Sequence, residues 1–116
     1  MSSNFTAIDA ATLQSLNAGS EQALEQIFRA NFSWILENAK MRLKGEDAAA
    51  PKLIVATVRE FWDERDGFHT SAEVEAFFNE ELRHRARAVR ARMAAVHRFE
   101  KHEGVQAEEH AAPTVD

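Results

Sequence analysis

Glu21-Gln22-Ala23-Leu24-Glu25-Gln26-Ile27-Phe28-Arg29-Ala30-Asn31-Phe32-Ser33-Trp34-Ile35-Leu36-Glu37-Asn38-Ala39-Lys40-Met41-Arg42-Leu43 decides the fold of this 116-residue chain. Leu24, Phe28, Phe32, Ile35, Ala39 and Leu43 step through it by 4, 4, 3, 4 and 4, which places one apolar stripe along an α-helix. Ile27, Trp34 and Met41 widen that stripe. Ser20 stands in front as an N-cap hydroxyl, and Gly45 follows the last apolar residue, where a helix C-terminus wants a residue tolerant of positive φ.

The same punctuation extends outward in both directions. Glycine occurs only four times, at 19, 45, 67 and 104, each time after a segment with helical periodicity, so four helices are expected. Asp9 is the N-cap of a short first helix, Ala10 to Leu16, with Ile8, Leu13 and Leu16 as its contacts. A third helix starts near Pro51, tolerated in a first turn because its missing N–H would be unpaired there, and carries the stripe Ile54, Val58, Phe61 and Trp62. Thr70-Ser71-Ala72-Glu73 reads as a capping box opening a fourth helix, with Phe78, Leu82, Val89, Met93 and Val96 on its buried side. The expected fold is all-α: a compact three-helix core with a short extra N-terminal helix. Residues 8–103 form one domain, 1–7 a flexible N-terminus, and 104–116 a disordered tail poor in bulky apolar residues. Leu24, Phe28, Ile35, Val58, Phe61, Leu82 and Val89 are expected inside, and Trp34 with them.

Charge separates one part of the chain from the rest. From Glu81 to Lys101 seven cations face two acids, a net +5, so the remainder of this −5 chain carries −10. A helix holding all the excess positive charge has a directional field, and an anionic partner such as nucleic acid is the first to consider. Arg83, Arg87, Arg90 and Arg98 fall near one face, whereas Arg85 and Arg92 flank the apolar stripe and are expected in salt bridges. There is no cysteine, which removes disulfides and thiolate sites and suits a reducing cytoplasm. No apolar run approaches a membrane span, and no signal peptide opens the chain; a soluble, cytoplasmic protein with no membrane partner is expected.

Asn17-Ala18-Gly19-Ser20-Glu21-Gln22-Ala23-Leu24-Glu25-Gln26-Ile27-Phe28-Arg29-Ala30-Asn31-Phe32 resembles the opening helix of region 2 in bacterial RNA polymerase sigma factors of the extracytoplasmic-function group. Val58-Arg59-Glu60-Phe61-Trp62, the linker Arg65-Asp66-Gly67-Phe68 and Val74-Glu75-Ala76-Phe77-Phe78 keep the family's order and spacing, so the resemblance covers roughly residues 17 to 100. It implies a helical domain whose second region 2 helix docks on the polymerase clamp, and whose last helix and preceding loop hold the melted non-template strand of the −10 element. Arg83-His84 falls where the family usually has Arg-Asn. The family's acidic start to the second helix is replaced by Ala49, Ala50, Pro51 and Lys52, which predicts weak docking on core polymerase. No second helical domain follows within these residues, although a conventional sigma factor recognises the −35 element with one.

The resemblance and the charge together nominate Phe68, His69, Arg83, His84, Arg87 and Arg90 for single-stranded promoter DNA, with Phe68 either an exposed stacking ring or a core side chain. Lys52, Leu53, Val55, Ala56, Arg59 and Trp62 are nominated for a protein contact, either RNA polymerase core or an anti-sigma factor. Two function classes follow. One is a transcription-initiation protein that binds −10 promoter DNA, RNA polymerase or both; the other is a degenerate sigma mimic acting as a protein-interaction module. His69, His84, His97, His102 and His110 show no i, i+4 pair, so neither metal nor cofactor is expected. The chain has no Ser-His-Asp arrangement, phosphate-cradling glycine loop or tight carboxylate pair, and an enzyme is not expected.

Overall fold

The computed structural model describes residues 3–114, with side chains as far as Lys101. Four α-helices and two single 3-10 turns make up the described chain, with no strand among these residues. The helices are α1 (Ala10–Asn17), α2 (Glu21–Leu43), α3 (Ala50–Asp63) and α4 (Ser71–Thr114). The three longer ones pack pairwise on one another, and α1 lies against α2 and the 3-10 turn at Arg65–Gly67. Leu16, Ile35, Leu43, Phe61, Val74, Phe78 and Leu82 are buried where they meet.

Each helix starts as its local chemistry dictates. Asp9 accepts from the Thr12 N–H at 2.7 Å, and Ser20 Oγ accepts from the Ala23 N–H at 3.1 Å. The capping box is reciprocal: Thr70 Oγ1 accepts from the Glu73 N–H at 3.2 Å, while Glu73 Oε1 accepts from the Thr70 and His69 N–H groups at 2.9 Å. Pro51 occupies the first turn of α3. The glycines divide. Gly19 (φ 95°) and Gly45 (φ 101°) take the positive φ expected of them, whereas Gly67 lies in a 3-10 turn outside that region.

Three expectations need correction. The buried face of α2 is Ala23, Ile27, Asn31, Ile35, Asn38, Ala39 and Leu43, offset from the most hydrophobic stripe. Phe32 is 43% exposed and Met41 is exposed, while Leu24, Phe28 and Trp34, like Val58 and Val89, are only half-buried. Asn31 and Asn38 displace larger apolar groups because their amides have partners inside. Asn31 Oδ1 accepts from the Thr6 N–H at 2.6 Å, its Nδ2 donates to the Ile27 carbonyl at 3.1 Å, and Asn38 Nδ2 donates to Asn79 Oδ1 on α4 at 2.8 Å.

The segment ahead of α1, expected to be flexible over residues 1–7, is instead tied to the bundle from Ser3 onward; Met1 and Ser2 lie outside the described residues. Ser3 donates its N–H to Glu37 at 2.8 Å, Thr6 to Asn31 as above, and Ile8 to Ser71 Oγ at 2.9 Å. The Phe5 ring meets Trp34 edge-on at 5.0 Å.

Nor does α4 stop at Gly104. It continues as helix to Thr114, where a disordered tail was expected, and residues 115 and 116 lie outside the described set. Val105-Gln106-Ala107-Glu108-Glu109 is rich in helix formers, and one interior glycine costs only about 1 kcal/mol. The long α4 makes the molecule 73 Å in its greatest dimension.

Candidate functional site

The periodicity of α4 sends its charged residues to two sides of a seam formed by buried Leu82 and Ala86 and half-buried Val89 and Met93. Arg83, Arg87 and Arg90 succeed one another along one side. Arg83 is exposed and bonds to Glu80 at 2.6 Å, and this guanidinium holds the Glu80 carboxyl below its ordinary range. Arg87 is exposed and makes no ion pair among the described residues. Arg90 is half-buried, with its guanidinium Nε enclosed and lacking a hydrogen-bond partner, so less of it is presented to solvent. His84 is exposed near the outer side of the helix.

The Gly67-Phe68-His69 segment does not join this stripe. Phe68 is only 8% exposed; its ring lies 5.0 Å from Phe61 and 5.2 Å from Phe77. Asn17 Nδ2 fixes the segment by donating to the Phe68 carbonyl at 3.1 Å and to that of Arg65 at 2.6 Å. Of its two sequence readings, Phe68 takes the core one, because the rings of Phe61, Phe77 and Phe78 form a cluster that receives it. His69 remains exposed. Arg83 stands about 20 Å along α4 from this segment at 1.5 Å per helical residue. Glu73, Glu75, Glu80 and Glu81 intervene in sequence. The six nominated residues therefore do not converge on one site.

On the other side of the seam, α3 and α4 enclose a groove of about 670 Å³. Five of the six residues nominated for a protein contact line it: Lys52, Leu53, Val55, Ala56 and Arg59. Trp62 does not; it is half-buried, with the Arg65 guanidinium 4.3 Å from its ring centroid. From α4 come Arg85, Ala88, Val89, Arg92 and Met93, none of which the sequence nominates for a partner contact. Their signal was the continuation of the α4 seam beyond Leu82. Arg85 makes the expected salt bridges, to Glu81 at 3.0 Å and Glu60 on α3 at 4.0 Å. Arg92 makes none among the described residues. Beside this pair, a hydrogen bond to Glu60, followed by desolvation, raises Glu64 above its ordinary value.

No family model, curated protein or solved structure matches the chain. Among the described residues, no helix is long and apolar enough to cross a membrane.

Proposed function

We propose that this chain is a sigma region 2-like transcription protein whose α4 stripe binds melted, single-stranded promoter DNA. The observation that carries this reading is the outward placement of Arg83 and Arg87 on the most strongly net-positive segment of an acidic chain. Arginines at helical spacing neutralise successive phosphates, while the acidic remainder repels DNA from other faces. The order of helices and the capped start of α4 are compatible with the resemblance described above. With Phe68 in the core, His69 is the exposed polar member of the preceding segment. The test is fluorescence anisotropy of a labelled single-stranded oligonucleotide across a salt series. Arg87→Ala should weaken binding and lower the log-log salt slope by roughly 0.7. An intact fold with no binding at low salt, or an unchanged slope, rules out this stripe.

A second reading, a degenerate sigma mimic that binds a protein, draws on the groove. Lys52 and Arg59 line the groove side of α3, and Lys52 stands in the first turn, where the family's helix start is acidic and meets a basic polymerase surface. Core polymerase should therefore bind weakly. Ala49→Asp with Lys52→Asp should strengthen binding and make it more salt-sensitive, as a pull-down with purified core enzyme would show.

A further inference from the structure

We infer that the groove between α3 and α4 docks an acidic amphipathic helix of another protein. This deepens the second reading above and rests on it. The floor is apolar, built from Leu53, Ala56, Val89 and Met93, and Val55 stands at its edge 57% exposed. Around it are Lys52 and Arg59 from α3 and Arg92 from α4, none of them in an ion pair among the described residues, while Arg85 is already paired with Glu81 and Glu60. The groove lining includes no acid, and the nearby Glu60 and Glu81 are both engaged by Arg85. The apolar line also runs on along α4 to Val96 and Phe99, which are 41% and 64% exposed. From Val89 to Phe99 is about 15 Å of helix at 1.5 Å per residue, room for about three turns of a partner.

Apolar floor and cationic rim together select the occupant. An amphipathic helix places aliphatic side chains at i, i+3, i+4 and i+7 into such a floor, and flanking carboxylates then reach the rim. A second copy of this chain fits poorly. Its own α4 seam is flanked by Arg85 and Arg92, which would be brought against Lys52 and Arg59, and like charges across an interface oppose association. Nucleic acid would satisfy the rim but leave the apolar floor uncovered.

The experiment is an NMR titration of the full ¹⁵N-labelled chain with a designed amphipathic peptide of about 18 residues, long enough to favour helix. Its leucines follow the spacing above and are flanked by glutamates; a twin carries lysine at every glutamate position. The acidic peptide should shift the amides of Val55, Ala88, Val89 and Met93, bind at least about tenfold more tightly than its twin, and lose about tenfold on Arg59→Glu/Arg92→Glu. Arg59 and Arg92 are exposed, so the double variant should keep its fold, checked by circular dichroism. Equal binding of both peptides in the groove would leave it a protein interface but overturn the acidic partner. Binding by neither, or shifts confined to other faces, would overturn the groove as an interface as well. Concentration-dependent dimerisation of the wild-type chain, with shifts of the same groove amides, would assign it to a second copy and likewise overturn the proposal.

Discussion

Replacing Phe68 by alanine should destabilise the whole domain rather than weaken contact with a nucleic acid base. A phenylalanine buries about 150 to 250 Å² in a core. With Phe68 only 8% exposed, about 25 cal/mol per Å² gives roughly 3.5 to 6 kcal/mol for complete burial, an upper estimate because the unfolded chain is partly compact. Alanine keeps the Cβ, and such truncations typically cost about 3 to 5 kcal/mol. The neighbouring Phe61 and Phe77 rings, 5.0 and 5.2 Å away, would line the resulting cavity. For a chain of this length, each kcal/mol lowers the melting temperature by about 4 °C, so the variant should melt roughly 12 to 20 °C lower. Thermal and urea melts followed by circular dichroism measure this directly. A melting temperature within about 3 °C of wild type would refute the core assignment. If oligonucleotide affinity fell at the same time, the ring would be a stacking platform after all.

Glu73 is held below its ordinary pKa of 4.5 first by the His69 N–H and then by the Thr70 N–H. A depressed folded value means that this stabilisation is present above 4.5 and disappears as pH falls through the folded pKa, so the two amide proton shifts should titrate together with a midpoint below 4.5; a midpoint at or above it would contradict the capping geometry. Asn31→Ala should cost about 1 to 3 kcal/mol by removing the buried amide that accepts from the part-buried Thr6 N–H. It should also increase the ¹⁵N-detected motion of residues 3–8, whereas an unchanged segment would show that Phe5 on Trp34 suffices to hold it. Gly45→Ala should cost about 1 kcal/mol in urea denaturation from positive φ alone, because nothing lies within 4 Å of an added Cβ. Gly67→Ala should be neutral or slightly stabilising, and equal losses at both positions would contradict the backbone assignment.

The candidate surfaces were partly legible from residue type and spacing. Arg83 and Arg87 reach solvent on neighbouring turns because helix geometry repeats locally, and five of the residues nominated on α3 border one groove. Arg85, Arg92, Val89 and Met93 entered that groove only once α3 was laid beside α4. Spacing within one helix does not specify which neighbour will face it. Phe68 shows the same limit: its linker position suits either an exposed or a buried ring, and the aromatic cluster around it decides.

The sequence by itself determined the all-α class, the four helix starts and the charge polarity of α4. These depend on interactions spanning a few residues: a hydroxyl or carboxylate reaching an amide three positions ahead, a proline in the first turn of α3, and apolar groups returning every third or fourth residue. Tertiary structure decided the burial phase of α2, the attachment of residues 3–8 and the separation of the Phe68 segment from the arginine stripe. The reason is clearest at Asn31. Hydrophobicity ranks it below Phe32, but only the folded chain brings the Thr6 N–H to its side chain, and a buried polar group with that bond made is stable where an unpaired one is not.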